Sequence, residues 1–390
     1  MSVVPLVHAG PACGRKAHGL AVLLRAGLPV PDGFVVTDPA VDPRVVAAHL
    51  GRLRGRAVAV RSSGLTEDSA TASFAGQLET VLGARGLDEV LAALRRCAAS
   101  PHTDRARSYR AHLDLDGEPA APVLVQELVE ADHAGVLFTR DPRTGADAVV
   151  INASWGLGES VVSGAVVPDE IIVTAPTDTA RITIGAKQTR LDLREHGLVR
   201  SPVPEADRAR GCVPPGEVPR LVALGRRCAD LFGRSQDVEW AVRDDQIWLL
   251  QARPITALGD PAAVGGDPAA VGGDPAAVGG ERSAPPLVTG VPSSPGQAWG
   301  PARLVRSVDD FSRVRHGDIL VCRTTDPAWT PLFRLAAAVV TETGGVLSHA
   351  AIVAREFGIP AVVGAGEAMT TLTDGAPVTV DGTAGTITGG

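Results

Sequence analysis

The chain has 390 residues, 45% of them hydrophobic and 3% aromatic, and a formal net charge of -7. That length predicts two or three domains, with cores built from Val, Leu, Ala and Ile. The acidic balance excludes a sequence-independent nucleic-acid binder, and no run reaches the roughly 18 apolar residues of a membrane span. The opening MSVVPLVHAGPACGRK lacks the basic, apolar, small-residue order of a signal peptide, so a cytoplasmic protein is expected.

In chain order, Lys16–Ala26 has the spacing of a short helix stopped by Gly27, and LPVPDGFVVT gives a proline turn and a strand. The stretch from Thr37 to Ala57 holds one helix. Ala57–Val60 reads as a buried strand and Leu87–Ala99 as a helix. Pro122–Leu128, Gly135–Phe138, Asp147–Ile151 and Asp169–Val173 read as strands, and Pro219–Phe232 as a helix. Val238–Val242 and Gln246–Gln251 form a hairpin that turns at Arg243–Asp245. Further on, Asp318–Val321, Ala337–Thr341, Ala361–Val363 and Pro377–Val380 are strands. Ser348–Phe357 is a helix stopped by Gly358 and Pro360. The pattern is α/β and α+β.

Residues 259–279 are three copies of GDPAAVG. Gly and Pro in each copy exclude a coiled coil. The predicted organisation is a domain over 1–257, a flexible linker over 258–286 and a smaller domain over 287–390. About 25 flexible residues span roughly 25–30 Å on average and about 80–90 Å when extended.

The five cysteines show no C-x-x-C pair, which argues against disulfides and a zinc site. Of 37 basic residues only Lys16 and Lys187 are lysines. Such arginine-rich usage draws attention to both, because a lysine is a compact charge suited to phosphate.

Around His349 the sequence runs TETGGVLSHAAIVAREFGIP. Gly344 and Gly345 permit a tight turn, Ser348 is a candidate N-cap, and His349 falls on the first helical turn. A helix N-terminus favours an added negative charge, and a neutral imidazole is a competent nucleophile. Taken alone, such a histidine fits a capping or packing role as well. No H-x-H or H-x-x-x-H spacing suggests a metal site.

GGVLSHAAIVAREFGIPAVVG closely resembles the phosphohistidine signature of phosphoenolpyruvate-utilising enzymes, a group with phosphoenolpyruvate synthase, pyruvate phosphate dikinase and rifampin phosphotransferase among its members. Upstream, CGRKAHGLAVLLRAGLPVPDGFVVT, VRSSGLTEDSATASFAGQLETVLG, VLVQELVEADHAGVLFTRDPRTG, INASWGLGESVVSGAVVPDEIIV and QDVEWAVRDDQIWLLQARPIT resemble the same family's ATP-grasp domain, in family order. The resemblance implies an ATP-grasp nucleotide-binding domain tethered to a small three-layer swivelling domain whose histidine, His349, carries the phosphoryl group.

Physically, Lys16 and Arg61 can neutralise a triphosphate, and Ser62, Ser63, Gly76 and Thr80 sit in small-residue loops that phosphate oxygens can approach. Glu239 and Gln251 lie on the two hairpin strands and can offer oxygens to Mg²⁺, while Arg253 shares the face of Gln251. The resemblance carries the family's ATP residues onto Lys16, Arg61, Gly76, Thr80, Gln126, Glu239, Gln251 and Arg253, with Glu239 and Gln251 as metal ligands. It also matches Lys187, without a firm role. There is no G-x-x-x-x-G-K-[ST] loop for a P-loop kinase and no G-x-S-x-G elbow for a serine hydrolase; GLGES at Gly156–Ser160 is not one.

Two departures from the family stand out. No barrel or antibiotic-binding domain lies between the two predicted domains, so the acceptor site is expected on a partner protein or a surface pocket. The Thr37–Ala57 stretch is short, and RRCAASPHTDRA lacks an expected Trp, so a reduced lid over ATP is expected. The resemblance implies ATP-dependent phosphotransfer with attack at the β-phosphorus and release of AMP and phosphate. The acceptor expected is a hydroxylated small molecule. The alternatives are the catalytic half of a split phosphotransferase and a non-catalytic nucleotide-binding regulator.

Overall fold

The computed structural model describes residues 2–65, 79–102, 122–255, 285–326, 329–346 and 348–389. Gly76 and the GDPAAVG repeats lie outside the described residues. Two units result, one comprising Met1–Arg140 and Ala148–Thr256, the other mainly Ala257–Thr325 and Trp329–Gly390.

The first unit opens with β1 (Val3–Pro5), α1 (Arg15–Arg25), β2 (Gly33–Val36), α2 (Pro43–Arg52), β3 (Val58–Ser62), β4 (Thr80–Ala84), α3 (Gly86–Ala99) and β5 (Val123–Glu127). Its strands pair antiparallel in the order β1-β2-β5-β3-β4. Alternation divides β3 between two faces. Val58 and Val60 join a core with Val46 of α2 and Val90, Leu94 and Cys97 of α3. Arg61 is thereby turned to the opposite face, where Leu124 of β5 joins the other core of this unit.

A second antiparallel sheet holds β6 (His133–Phe138), β7 (Ala148–Trp155), β8 (Asp169–Thr174), β9 (Thr179–Thr183), β12 (Gln236–Arg243) and β13 (Gln246–Pro254) in the order β13-β12-β6-β7-β8-β9. The strands β10 (Thr189–Arg194) and β11 (Gly197–Pro202) form a separate hairpin. On one face of the six-stranded sheet, α1 and α4 (Val218–Phe232) bury Leu20, Leu23, Leu221 and Cys228 against Leu137, Ile151, Val238 and Trp240. Gly233 ends α4 in the left-handed region, and Asp244 and Asp245, both at positive φ, make the tight β12–β13 turn.

The second unit contains β14 (Val288–Thr289), β15 (Val291–Ser294), β16 (Gln297–Leu304), β17 (Ile319–Cys322), β18 (Ala338–Thr341), α5 (His349–Phe357), β19 (Ala361–Val363), β20 (Pro377–Asp381) and β21 (Thr386–Gly389). They form one sheet, β14-β21-β20-β16-β17-β18-β19-β15, whose central strands β16 to β19 run parallel. Both faces of the centre are covered, which is why ILVC, AVVT and AVV are continuous apolar runs. Leu320, Cys322, Val339 and Val363 pack under Ala350, Val353 and Ala354 of α5. Ile319, Val321, Val340 and Val362 face Ala368 and Leu372 on the other side. The crossover between the parallel strands β18 and β19 is α5 itself. Among the described residues no helix is long and apolar enough to cross a membrane.

Most predicted elements are present with ends shifted by a few residues. Strands β1, β4, β9, β10, β11, β14, β15, β16 and β21 were not expected. Exposed β9, with every residue open to solvent, has no buried face to give a period of two. In β16, Gly300 and Pro301 break the strand pattern, yet Gly300 is required because a Cβ there would lie 2.3 Å from the Gly317 carbonyl oxygen.

Candidate functional site

The polar residues of the first unit gather where its two sheets approach. At the start of α1, Gly14 has φ +83°, and a Cβ on it would lie 1.6 Å from the Ser63 carbonyl oxygen. Only glycine lets the CGRK turn dock so closely on the Ser62–Ser63 segment. Ser63 Oγ donates to the Cys13 carbonyl (2.9 Å) and accepts from the Ala17 N–H (3.1 Å). Its hydroxyl therefore caps α1 from a neighbouring loop, which corrects the expectation that it meets phosphate. Lys16 Nζ donates to the Ser62 carbonyl (3.4 Å), while Ser62 Oγ is buried without a hydrogen-bond partner among the described residues.

Arg61 is paired across β3–β4 with Thr80, so both side chains share one face. Gln126 stands on that face of β5 opposite Ala59, buried, and its amide donates to the Pro31 carbonyl (3.4 Å). From the second sheet, Glu239 pairs with Gln251 and Asp237 with Arg253. The ladder slips here, because Trp240 pairs with Leu249 and leaves Leu250 as an extra residue on β13. This bulge matters. Leu249 faces the apolar core, and regular alternation would send Gln251 to the same side. The additional residue instead aligns Gln251 with Glu239. Arg61 Nη1 uses the bulge directly, donating to the Leu250 carbonyl (3.3 Å) and lying 3.5 Å from Glu239 Oε2. Arg253 Nε is held by Asp237 Oδ2 at 2.7 Å.

Glu159, on the short helical turn Glu159–Val162, was not singled out in the sequence, although GLGES lies in one of the blocks that resemble the ATP-grasp domain. Its side chain is open to solvent yet closely surrounded by protein. Desolvation first, and the Glu239 carboxylate second, hold its carboxyl above the usual range against the pull of Arg61 and Arg200. Glu159 beside Glu239, with Gln251 paired to Glu239 across the hairpin, offers oxygens of the kind a hard divalent cation takes. Among the described residues no cluster of three His, Cys, Asp or Glu forms a metal cage.

Lys187 lies elsewhere. It is fully buried at φ +37°, ion-paired with Asp169 and donating to the carbonyls of Gly185 (3.0 Å) and Arg208 (3.3 Å). Asp169 also accepts from the Gly185 and Cys212 N–H groups, each at 2.8 Å. In this arrangement the lysine fastens a loop.

In the second unit, β17 and β18 end at the same edge of the parallel sheet. Thr343 N–H donates to the Arg323 carbonyl (2.9 Å), tying together the loops that follow them. From one loop comes Thr325, from the other His349, the first residue of α5. Thr325 Oγ1 lies 2.9 Å from His349 Nδ1 and Thr330 Oγ1 lies 3.5 Å from Nε2. Phe333 meets the ring edge-on at 6.0 Å, and His349 is 5% exposed. Arg355, on the same helix, donates to the Ser293 (2.8 Å) and Val346 (2.9 Å) carbonyls and so anchors the turn before the histidine. Ser348 occupies the N-cap with φ -61° and ψ 156°, as expected, but its side chain makes no capping hydrogen bond.

Residues 44–265 match the pyruvate phosphate dikinase AMP/ATP-binding domain, and residues 314–385 match the mobile domain of PEP-utilising enzymes. A probable phosphoenolpyruvate synthase of Methanothermobacter thermautotrophicus is 35% identical over 96% of this chain and 61% of its own length. The phosphoenolpyruvate synthase of Aeropyrum pernix is 35% identical over 97% of this chain and 56% of its own. That of Deinococcus radiodurans is 41% identical over 83% of this chain and 42% of its own. The chain thus spans no more than about three-fifths of the length of these relatives. The order of the two matched segments, an ATP-grasp-type nucleotide domain followed by a phosphohistidine domain, identifies the chain as a member of the phosphoenolpyruvate-utilising dikinase family.

Proposed function

We propose that this protein is an ATP-dependent dikinase-type phosphotransferase in which ATP phosphorylates His349 and the phosphohistidine serves an acceptor. Residues 1–257 act as the nucleotide domain, 258–286 as a tether and 287–390 as the carrier. The observation that carries this reading is the pairing of Arg61 with both Glu239 and the Leu250 bulge carbonyl, which gathers cations and metal-ligand oxygens on one face of the first unit.

In this reading Lys16, Arg61 and Arg253 bind the triphosphate, with Arg253 oriented by Asp237. Thr80, Gln126 and the glycine at position 76 complete the nucleotide contacts. Glu239 and Gln251 would hold Mg²⁺, which neutralises phosphate charge when bound. Thr325 fixes the imidazole through Nδ1, so Nε2 is the attacking nitrogen, and access to it requires the Thr330 contact to open. As the bond from Nε2 to the β-phosphorus forms, the bond from that phosphorus to the α-bridging oxygen breaks and AMP leaves. Water then cleaves the β–γ link, releasing phosphate and leaving one phosphoryl group on His349. A tether raises the local concentration of its cargo to about the millimolar range when its span matches the sites. The acceptor is a hydroxyl-bearing small molecule, held on a partner protein or in a surface pocket of these domains. A cytoplasmic location is consistent with the use of ATP.

The test is incubation with Mg-ATP, with detection of acid-labile phosphate on His349 and of AMP as the nucleotide product. His349→Ala abolishes label and leaves ATP binding intact. A wild-type protein that binds ATP and never becomes labelled overturns the relay. ADP formation that persists in the alanine variant would make it a ligase or simple kinase.

A further inference from the structure

We propose that the Ser348 hydroxyl is a positioning ligand for the phosphoryl group on His349, an inference that rests on the relay described above. Ser348 is 3% exposed, and its Oγ is buried without a hydrogen-bond partner among the described residues. A serine at an N-cap ordinarily accepts from a first-turn N–H, and this one does not. In the unloaded protein the hydroxyl is therefore a net cost, since a buried unpaired group loses its hydration and gains nothing in return.

The neighbouring hydroxyls are differently employed. Thr325 and Thr330 face the two ring nitrogens. Arg355 is committed to the Ser293 and Val346 carbonyls. Ser348 alone, among these groups, has a donor with no acceptor, and it adjoins the residue that becomes anionic. It also sits at the positive end of α5, whose nine residues are long enough to set up a helix dipole. A phosphoryl group on the imidazole brings three strong acceptor oxygens to this end. The Ser348 O–H then donates to one of them while the first-turn N–H groups face the same charge. No covalent bond to serine forms and no proton is transferred. The hydroxyl binds the loaded state and has nothing to bind in the empty one.

The experiment measures the fraction of His349 phosphorylated at fixed ratios of ATP to AMP and phosphate, in the full chain, for wild type, Ser348→Ala and Ser348→Cys. The thiol nearly preserves side-chain volume but is a weak donor, which keeps the test available should the alanine variant fold poorly. Both variants are expected to lower the phosphorylation equilibrium constant about tenfold, the worth of one hydrogen bond to a charged acceptor. ATP affinity stays the same, and the unfolding temperature of the alanine variant is equal to or above wild type. An unchanged equilibrium constant in folded variants overturns the proposal, and does so most clearly with a lowered unfolding temperature, the mark of a purely structural serine. Wild-type protein that takes up no label at all overturns the relay, and this inference with it.

Discussion

In the first unit, the groups proposed to bind phosphate or metal are spread over many elements: Lys16 on α1, Arg61 on β3, Glu239 on β12, and Gln251 and Arg253 on β13. In the second, the chemistry is confined to one imidazole at the start of one helix, with two threonines against its nitrogens. On the proposed function, the spread arrangement should lose less than the concentrated one when a member is removed, because the remaining charges still act on the same polyphosphate. The concentrated one has no reserve. A distributed site also draws on long-range pairing for its geometry, whereas α5 and its preceding turn are set by about 20 contiguous residues.

Substitutions can break or sharpen this contrast. The largest effect is expected at the concentrated end, where His349→Asn removes the nucleophile and lowers phosphoryl transfer by more than about a thousandfold at unchanged ATP affinity, read by label incorporation. Arg61→Ala should lower the labelling rate by about 100- to 1,000-fold, because it removes a charge from the developing transition state and releases the bulge carbonyl. Equal losses at both positions would erase the contrast. Asp237→Asn is expected to cost about tenfold in labelling rate by loosening Arg253, with most of the change in KM for ATP.

Lys187→Ala tests whether that lysine belongs to either site. Removing it strands the buried Asp169 carboxylate, so a stability loss of about 3–5 kcal/mol by denaturant titration is expected, with normal labelling in the fraction that remains folded. The smallest effect is expected at Glu159. Its carboxyl is raised, so the folded protein binds that proton more tightly than the unfolded chain does. The resulting penalty is absent at low pH and grows as pH rises through the carboxylate range. Glu159→Gln should therefore raise the unfolding temperature of the nucleotide-free protein near neutral pH, and the gain should vanish toward about pH 4. With Mg-ATP present the same change should weaken binding a few-fold, because the lost carboxylate sits beside Glu239.

How much of this was legible beforehand follows a physical line. His349, the glycine turn and the α5 stop were readable because they are local: a loop, a cap position and a left-handed Gly358 within one short stretch. Glu239 and Gln251 could be placed on facing strands from the hairpin pattern. Their alignment could not, since it depends on the one-residue bulge at Leu250, which leaves no mark in hydrophobic periodicity. Ser63 looked like a phosphate ligand because its type and setting fit, yet its hydroxyl is engaged by a helix start some 46 residues away in sequence. The rarity of lysine singled out Lys16 and Lys187 alike. Only the fold separates a lysine that donates to the Ser62 carbonyl from one sealed against Asp169. Glu159 escaped notice because one carboxylate after a glycine turn carries no signal until Glu239 stands beside it.

The uncapped start of α5 has one further consequence, for amide exchange. A helix whose N-cap side chain forms no hydrogen bond leaves its first-turn amides unprotected, and they should exchange quickly with solvent deuterium in the empty protein. Once an acceptor is present at that end, the same amides should slow, while those of the last turn, already closed by the Gly358 and Ile359 N–H groups bonding back to Arg355 and Ala354, should not change. The two ends of one nine-residue helix would then serve as probe and internal reference, reporting how much of the carrier is charged without a radioactive label.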